Sequence, residues 1–174
     1  MPTEPLSPAA DYSSLDGGLV RMLDRLQREG TATKDLDADQ FLRDDANAVL
    51  LGLLYDQRVL AETAFTGPLK LKQRLGHFDM QKIADHDPDA FKEVFSESPA
   101  VHRFVNKMAD GTQTVARILA DEYDGDAANL WNDGADIATV EKRVKKLPGF
   151  GPMKATKLKY CLYYFHDLDL ADRS

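Results

Sequence analysis

The stretch IATVEKRVKKLPGFGPMKATKLKYCLYYFH, residues 137–166, decides how the rest of this chain is read. Ile137, Val140, Val144 and Leu147 recur at helical spacing and stop at Pro148, and Ala155, Leu158, Leu162 and Phe165 form a second stripe. Between them lies Leu147-Pro148-Gly149-Phe150-Gly151-Pro152. Its two glycines allow positive φ and close backbone approach. Pro152 falls where N1 of the second helix is expected, a position at which a missing N–H costs nothing. The pattern predicts a helix-hairpin-helix over 137–166 whose turn presents backbone N–H groups beside a helix N-terminus, a cradle for phosphate. Lys145 and Lys146 precede the turn, and Lys154 and Lys157 follow it. A plain helix–helix connection is the alternative; lysines on both flanks favour a nucleic-acid backbone, bound with strong salt dependence and little sequence preference.

Charge concentrates at the same place. The 174 residues carry 22 Lys+Arg against 29 Asp+Glu, a net charge of −7, yet residues 142–159 hold seven basic residues and no acid. Without those seven, 15 basic and 29 acidic residues remain, a balance of −14. An acidic body with one basic face suits an anionic polymer held at one place and repelled elsewhere.

Upstream, the periodicity is helical nearly throughout. Residues 1–14 carry three prolines and read as a flexible N-terminal arm, and 15–174 read as a single domain. Leu19, Met22, Leu23 and Leu26 make one helical face ending at Gly30, a plausible C′ residue. Residues 31–44 are polar and read as a connection. Ala46, Val49, Leu50, Leu53 and Leu54, with Ala48 and Leu51 on the other side, give a helix apolar nearly all round, so 45–56 is the expected central helix. Residues 61–75 read as helical with a break at Gly67-Pro68. Short helices are expected at 80–85, 89–95 and 127–131, and a longer one at 107–123. No sustained alternation marks a strand, so the expected class is all-α.

Composition excludes several classes. One cysteine, Cys161, cannot build a disulfide framework, a four-thiolate zinc site or a four-cysteine iron–sulfur cluster. No apolar run approaches the roughly 20 residues that span a bilayer. The first residues lack the pattern of a secretion signal, so the expected location is cytoplasmic, beside the nucleoid. His77, His86, His102 and His166 show no metal-ligand spacing, and no metal site is expected.

Leu147-Pro148-Gly149-Phe150-Gly151-Pro152-Met153-Lys154-Ala155 resembles the helix-hairpin-helix of the HhH-GPD superfamily of base-excision DNA glycosylases, which includes endonuclease III. Asp45–Gln57 resembles the buried family helix that ends in a DNA-facing glutamine, and Phe104-Val105-Asn106 with the following helix resembles the segment that carries a wedge residue. Asp56-Gln57-Arg58-Val59 with Ala64-Phe65-Thr66-Gly67-Pro68 echoes a branch of short bacterial members. Together these span about residues 44–172.

The resemblance implies a two-lobed all-α fold. It also implies double-stranded DNA carrying a lesion or mismatch as partner, and no membrane. The target nucleotide would be flipped out and its N-glycosidic bond cleaved through an oxocarbenium-like state stabilised by a carboxylate. Asp172, 21 residues beyond Gly151, matches the family's catalytic Asp; a solvated tail residue is the alternative. The implied DNA contacts are Lys146, Gly149, Phe150, Gly151, Lys154 and Lys157, with Gln57 entering the gap left by the flipped base, Phe104 as wedge and Tyr55 lining the base pocket. His102 is a possible phosphate contact.

The position where bifunctional members carry an amine nucleophile is Met153, and Lys154 stands about 100° further around the helix. A monofunctional hydrolase is therefore expected over a lyase. No cofactor is expected, although the hairpin carbonyls could hold a monovalent cation, as the resemblance implies. The family usually continues past the Asp, so a homodimer could complete the second lobe. The leading alternative is a non-catalytic hairpin protein recognising damaged or distorted DNA; a protein–protein helical module leaves the basic window unexplained.

Overall fold

Aspartate punctuates this fold. Asp35, Asp45, Asp79, Asp87, Asp126 and Asp136 each stand at an N-cap and accept a backbone N–H from the turn that follows, satisfying donors that a helix start leaves orphaned. The computed structural model describes residues 11–13, 15 and 17–170. These form α1 (Gly18–Glu29), α2 (Leu36–Asp44), α3 (Ala46–Tyr55), α4 (Ala61–Leu75), α5 (Met80–Asp85), α6 (Pro88–Ser96), α7 (Val105–Glu122), a 3-10 turn (Ala127–Leu130), α8 (Ile137–Lys145) and α9 (Pro152–His166). The class is all-α, with no strand among the described residues. None of these helices is long and apolar enough to cross a membrane.

The expected central helix is central. Every residue of α3 from Asn47 to Tyr55 is buried, and α2, α4, α7, α9 and the 3-10 turn all pack on it. Its small residue permits the closest of these approaches: a Cβ at Gly52 would stand 2.6 Å from the Phe65 ring of α4. Asn47 fixes its start, donating to the Gly125 carbonyl at 3.0 Å and accepting from the Ala127 amide at 2.7 Å. Burying so many leucines without a polar face makes α3 the axis on which other segments are positioned.

Two expectations fail. Residues 36–44 are helical, because Asp35 caps the first turn and Ala38, Phe41 and Leu42 reach the core. Asp39 is fully buried there and accepts from Thr31 Oγ1, the Thr33 amide and Thr33 Oγ1. One turn of apolar spacing among acids is too short a pattern to announce a helix. Conversely, α4 runs unbroken through Gly67-Pro68. Phe65 and Leu71 are buried on either side of the proline, and their packing outweighs the one hydrogen bond the proline removes.

The expected arm at 1–14 lies mostly outside the described residues. Its Tyr12 donates to Asp24 at 2.6 Å and meets Tyr164 of α9 edge-on at 5.6 Å, so this part of it is packed down.

Candidate nucleic-acid interface

The hairpin forms from the residues that foretold it. Val144 and Val140 bury one face of α8, and Ala155, Leu158 and Leu162 bury one face of α9. Between them the Phe150 amide donates to the Leu147 carbonyl at 3.1 Å, and Gly149 has φ 87°. With Pro148 before it, this is a type II turn, which places Pro second and needs positive φ third. A Cβ on Gly149 would stand 2.6 Å from Leu54 Cδ1, so the turn lies directly on the end of α3.

Gly151 differs from the expectation. Its φ of −100° and ψ of −172° are extended and open to other residues, and no atom lies within 4 Å of a Cβ built there. It matters as a bare N-cap: Pro152 follows at N1, and no side chain caps the first turn of α9. The N-cap of α7, Phe104, likewise supplies no side-chain acceptor. Six elements begin on a carboxylate, whereas α7 and α9, like α1 and α4, begin without one, which leaves these positive ends compatible with an anion.

The structure redistributes the basic window. Arg143 is committed to the Asp133 carboxylate, at 2.9 and 3.0 Å, and to the Leu130 carbonyl. Lys157 pairs with Asp56 at 3.6 Å. Lys154 turns inward, donating to the Leu54 carbonyl at 2.8 Å, with Nζ 5.7 Å from the Phe150 ring centroid. Burial pushes its ammonium down to about 8, against the opposing pull of Asp56. Lys142, Lys145 and Lys146 remain exposed at the surface. Phe150 is buried and its amide is taken by the Leu147 carbonyl, so only its own carbonyl is left to meet a ligand.

The end of α3 is the meeting point. Gln57 Nε2 donates to Leu54 O at 3.3 Å, while Gln57 Oε1 accepts from Lys107 Nζ at 3.0 Å. Gln57, Arg58, Phe104 and Lys107 line a cleft of about 380 Å³. A smaller cleft of about 170 Å³ has Leu54, Gln57, Lys107, Met108, Pro148 and Gly149 among its lining residues. Gln57 and Lys107, bonded to each other, line both, so the cleft at the hairpin turn and the cleft at Phe104 are neighbours on either side of this pair.

Other expected site residues are placed differently. Tyr55 is fully buried rather than lining an open pocket. Its hydroxyl is 2.7 Å from Thr112 Oγ1, which itself donates to the Met108 carbonyl at 2.6 Å, so Tyr55 donates. Burial holds its phenol well above the ordinary range. His102 is buried too and does not present itself to phosphate. Nε2 is 2.9 Å from the Tyr55 carbonyl, and Nδ1 accepts from the Phe104 amide at 3.0 Å. Only the neutral Nε2–H tautomer satisfies both bonds, and burial lowers its pKa in agreement. Phe104 is half-buried, with its ring centroid 5.5 Å from that of His102 and the Arg103 guanidinium 5.0 Å above it. Cys161 is buried in the core, where its thiol is pushed up to about 12. Asp172 lies outside the described residues.

Sequence reading missed Arg58, Arg103 and Lys107. Lys107 follows Phe104 by three positions, one helical face, and that spacing was a usable signal. Arg58 and Arg103 come together only through the path of two loops. No group of three His, Cys, Asp or Glu residues with metal-holding geometry occurs among the described residues.

No protein-family model, curated protein or solved structure matches this chain.

Proposed function

We propose that the chain is a DNA-binding protein of the helix-hairpin-helix glycosylase type, with the two-lobed HhH-GPD architecture, that releases a damaged or mismatched base by hydrolysis. One observation carries the reading: at the end of α3 the amide of Gln57 lines two adjacent clefts, one formed by the hairpin turn at Gly149 and the other by the ring of Phe104. The turn supplies backbone donors for a phosphate, and Lys145 and Lys146 supply charge beside it. Gln57 presents an amide held from both ends, pre-set to meet a base edge or fill a gap in a stack.

Asp172 is the proposed carboxylate that stabilises the developing sugar cation and orients water. Leu170 is buried, so the chain is anchored in the core two residues before it. With Met153 exposed at the hairpin and Lys154 bonded inward to Leu54, hydrolysis without a lysine–sugar adduct is the preferred course.

A second reading is a binding protein without catalysis. It is favoured by the burial of Tyr55 and by a cleft whose described lining contains amide, phenyl and cationic groups but no carboxylate. Base release from a panel of lesion-bearing duplexes, by wild type and by Asp172→Asn, separates the two. Release lost in Asp172→Asn is the expected result. Duplex binding with no release from any substrate leaves the binding protein, and no duplex binding at low salt removes both.

A further inference from the structure

We infer that Arg58, Arg103 and Lys107, grouped around Phe104, form a second nucleic-acid contact that takes an unpaired base with its phosphate and thereby selects distorted over intact duplex. The inference rests on the DNA-binding reading above and specifies what the Phe104 cleft recognises.

Placement sets these three cations apart: other cations among the described residues also lack a carboxylate partner, but these gather around one aromatic ring at one cleft. In this acid-rich chain Arg21 pairs with Glu62, Arg74 with Glu97, Arg117 with Asp85 and Asp121, and Arg143 with Asp133. Arg58, Arg103 and Lys107 are within ion-pair distance of no carboxylate among the described residues. Their contacts are neutral oxygens and a ring: Lys107 Nζ to Gln57 Oε1 at 3.0 Å, Arg103 Nη1 to the Arg58 carbonyl at 3.4 Å, and the Arg103 guanidinium over Phe104. All three are exposed. Like charges collected at the edge of one cleft repel, and an anion brought between them relieves that repulsion.

The cleft also specifies the anion. A simple oxyanion or an acidic peptide needs only the charges, whereas here a guanidinium lies on a phenyl ring that packs beside the His102 ring. Stacked arginine and aromatic planes hold an unpaired nucleobase, with cations at the edge for its phosphate. A base inside a duplex is covered on both faces and cannot offer its plane; an unpaired one can. Because Gln57 and Lys107 also line the cleft at Gly149, a strand held by the hairpin has this cleft as its neighbour.

Fluorescence anisotropy tests the inference with an intact duplex and the same duplex carrying a single-nucleotide bulge. The variants are Arg58→Gln/Arg103→Gln, whose side chains are exposed and leave the core untouched, Phe104→Ala, and Lys145→Gln/Lys146→Gln at the hairpin. Wild type should prefer the bulged duplex. The double arginine variant should lose most of that preference, and its log–log salt slope on the bulged duplex should become shallower by about 2. Phe104→Ala should weaken bulge binding by roughly fivefold or more. The hairpin variant should weaken both duplexes alike. Arginine variants with unchanged preference and salt slope would overturn the second contact while leaving the hairpin reading intact. Wild type that binds neither duplex would overturn both.

Discussion

Lys154 Nζ donates to the Leu54 carbonyl at 2.8 Å, tying the first turn of α9 to the last turn of α3 across a hundred residues of chain. The bond replaces an expected phosphate contact with an internal strut, and burial there pushes the ammonium from 10.5 down to about 8. In the unfolded chain the amine keeps its ordinary value, so between pH 8 and 10.5 the unfolded state binds more protons than the native one. Stability from this group therefore rises with pH across that window and is flat below it. Lys154→Met should abolish this contribution, so the variant's urea midpoint should gain less between about pH 8 and about pH 10 than that of wild type. The Lys154 side-chain NMR signal should titrate near pH 8; a midpoint above 10 would count against the buried geometry.

The two hairpin glycines should separate stability from binding. Gly149→Ala forces a β-carbon into positive φ and against Leu54 Cδ1 at 2.6 Å, so a loss of about 1–2 kcal/mol is expected from the backbone conformation alone. Gly151→Ala meets no protein atom, and its stability should stay within about 0.5 kcal/mol of wild type. Its added methyl nevertheless occupies the open side of the turn. Duplex affinity should therefore fall in Gly151→Ala at unchanged urea midpoint, and unchanged affinity would remove the turn as the phosphate cradle.

What was legible in the sequence followed the range of each signal. The hairpin and the buried α3 rest on spacing within one or two turns, and the fold reproduces them; the aspartate that starts α2 was not read, and that helix was missed. The inward course of Lys154, the burial of Tyr55 and the pairing of Lys157 with Asp56 are set by where α9, α7 and α3 cross, and no local pattern encodes them. The charge window shows the same limit. Seven basic residues were countable, but which of them face solvent depends on Asp133, Asp56 and Leu54, each distant in the chain.

Tyr55 provides a clean test of structural against substrate-binding roles. Its hydroxyl is buried and donates to Thr112 Oγ1, whose own proton goes to Met108. Tyr55→Phe removes one bond and leaves Thr112 bonded, so a loss of about 1 kcal/mol is expected in urea unfolding. Duplex affinity and any base release should be unchanged. A defect in release at full stability would return Tyr55 to the base pocket.

His102 links the end of α3 to the start of α7, and its protonation state controls both bonds. Neutral, it donates from Nε2 to the Tyr55 carbonyl and accepts from the Phe104 amide at Nδ1. A proton on Nδ1 would oppose two donors and release the Phe104 amide. Burial lowers its pKa below the ordinary 6.5, so just below pH 6.5 the unfolded state binds more protons than the native one. The neutral ring's contribution is complete above 6.5 and is lost as pH falls toward the lowered native value. His102→Asn keeps an acceptor for Phe104 and cannot titrate, so its urea midpoint should fall less than that of wild type between about pH 7.5 and about pH 5. The preference for a bulged over an intact duplex should weaken over the same window in wild type and hold in His102→Asn, because the Arg103–Phe104 stack stands on that amide. Equal pH dependence in both proteins would show that His102 does not hold Phe104 in place.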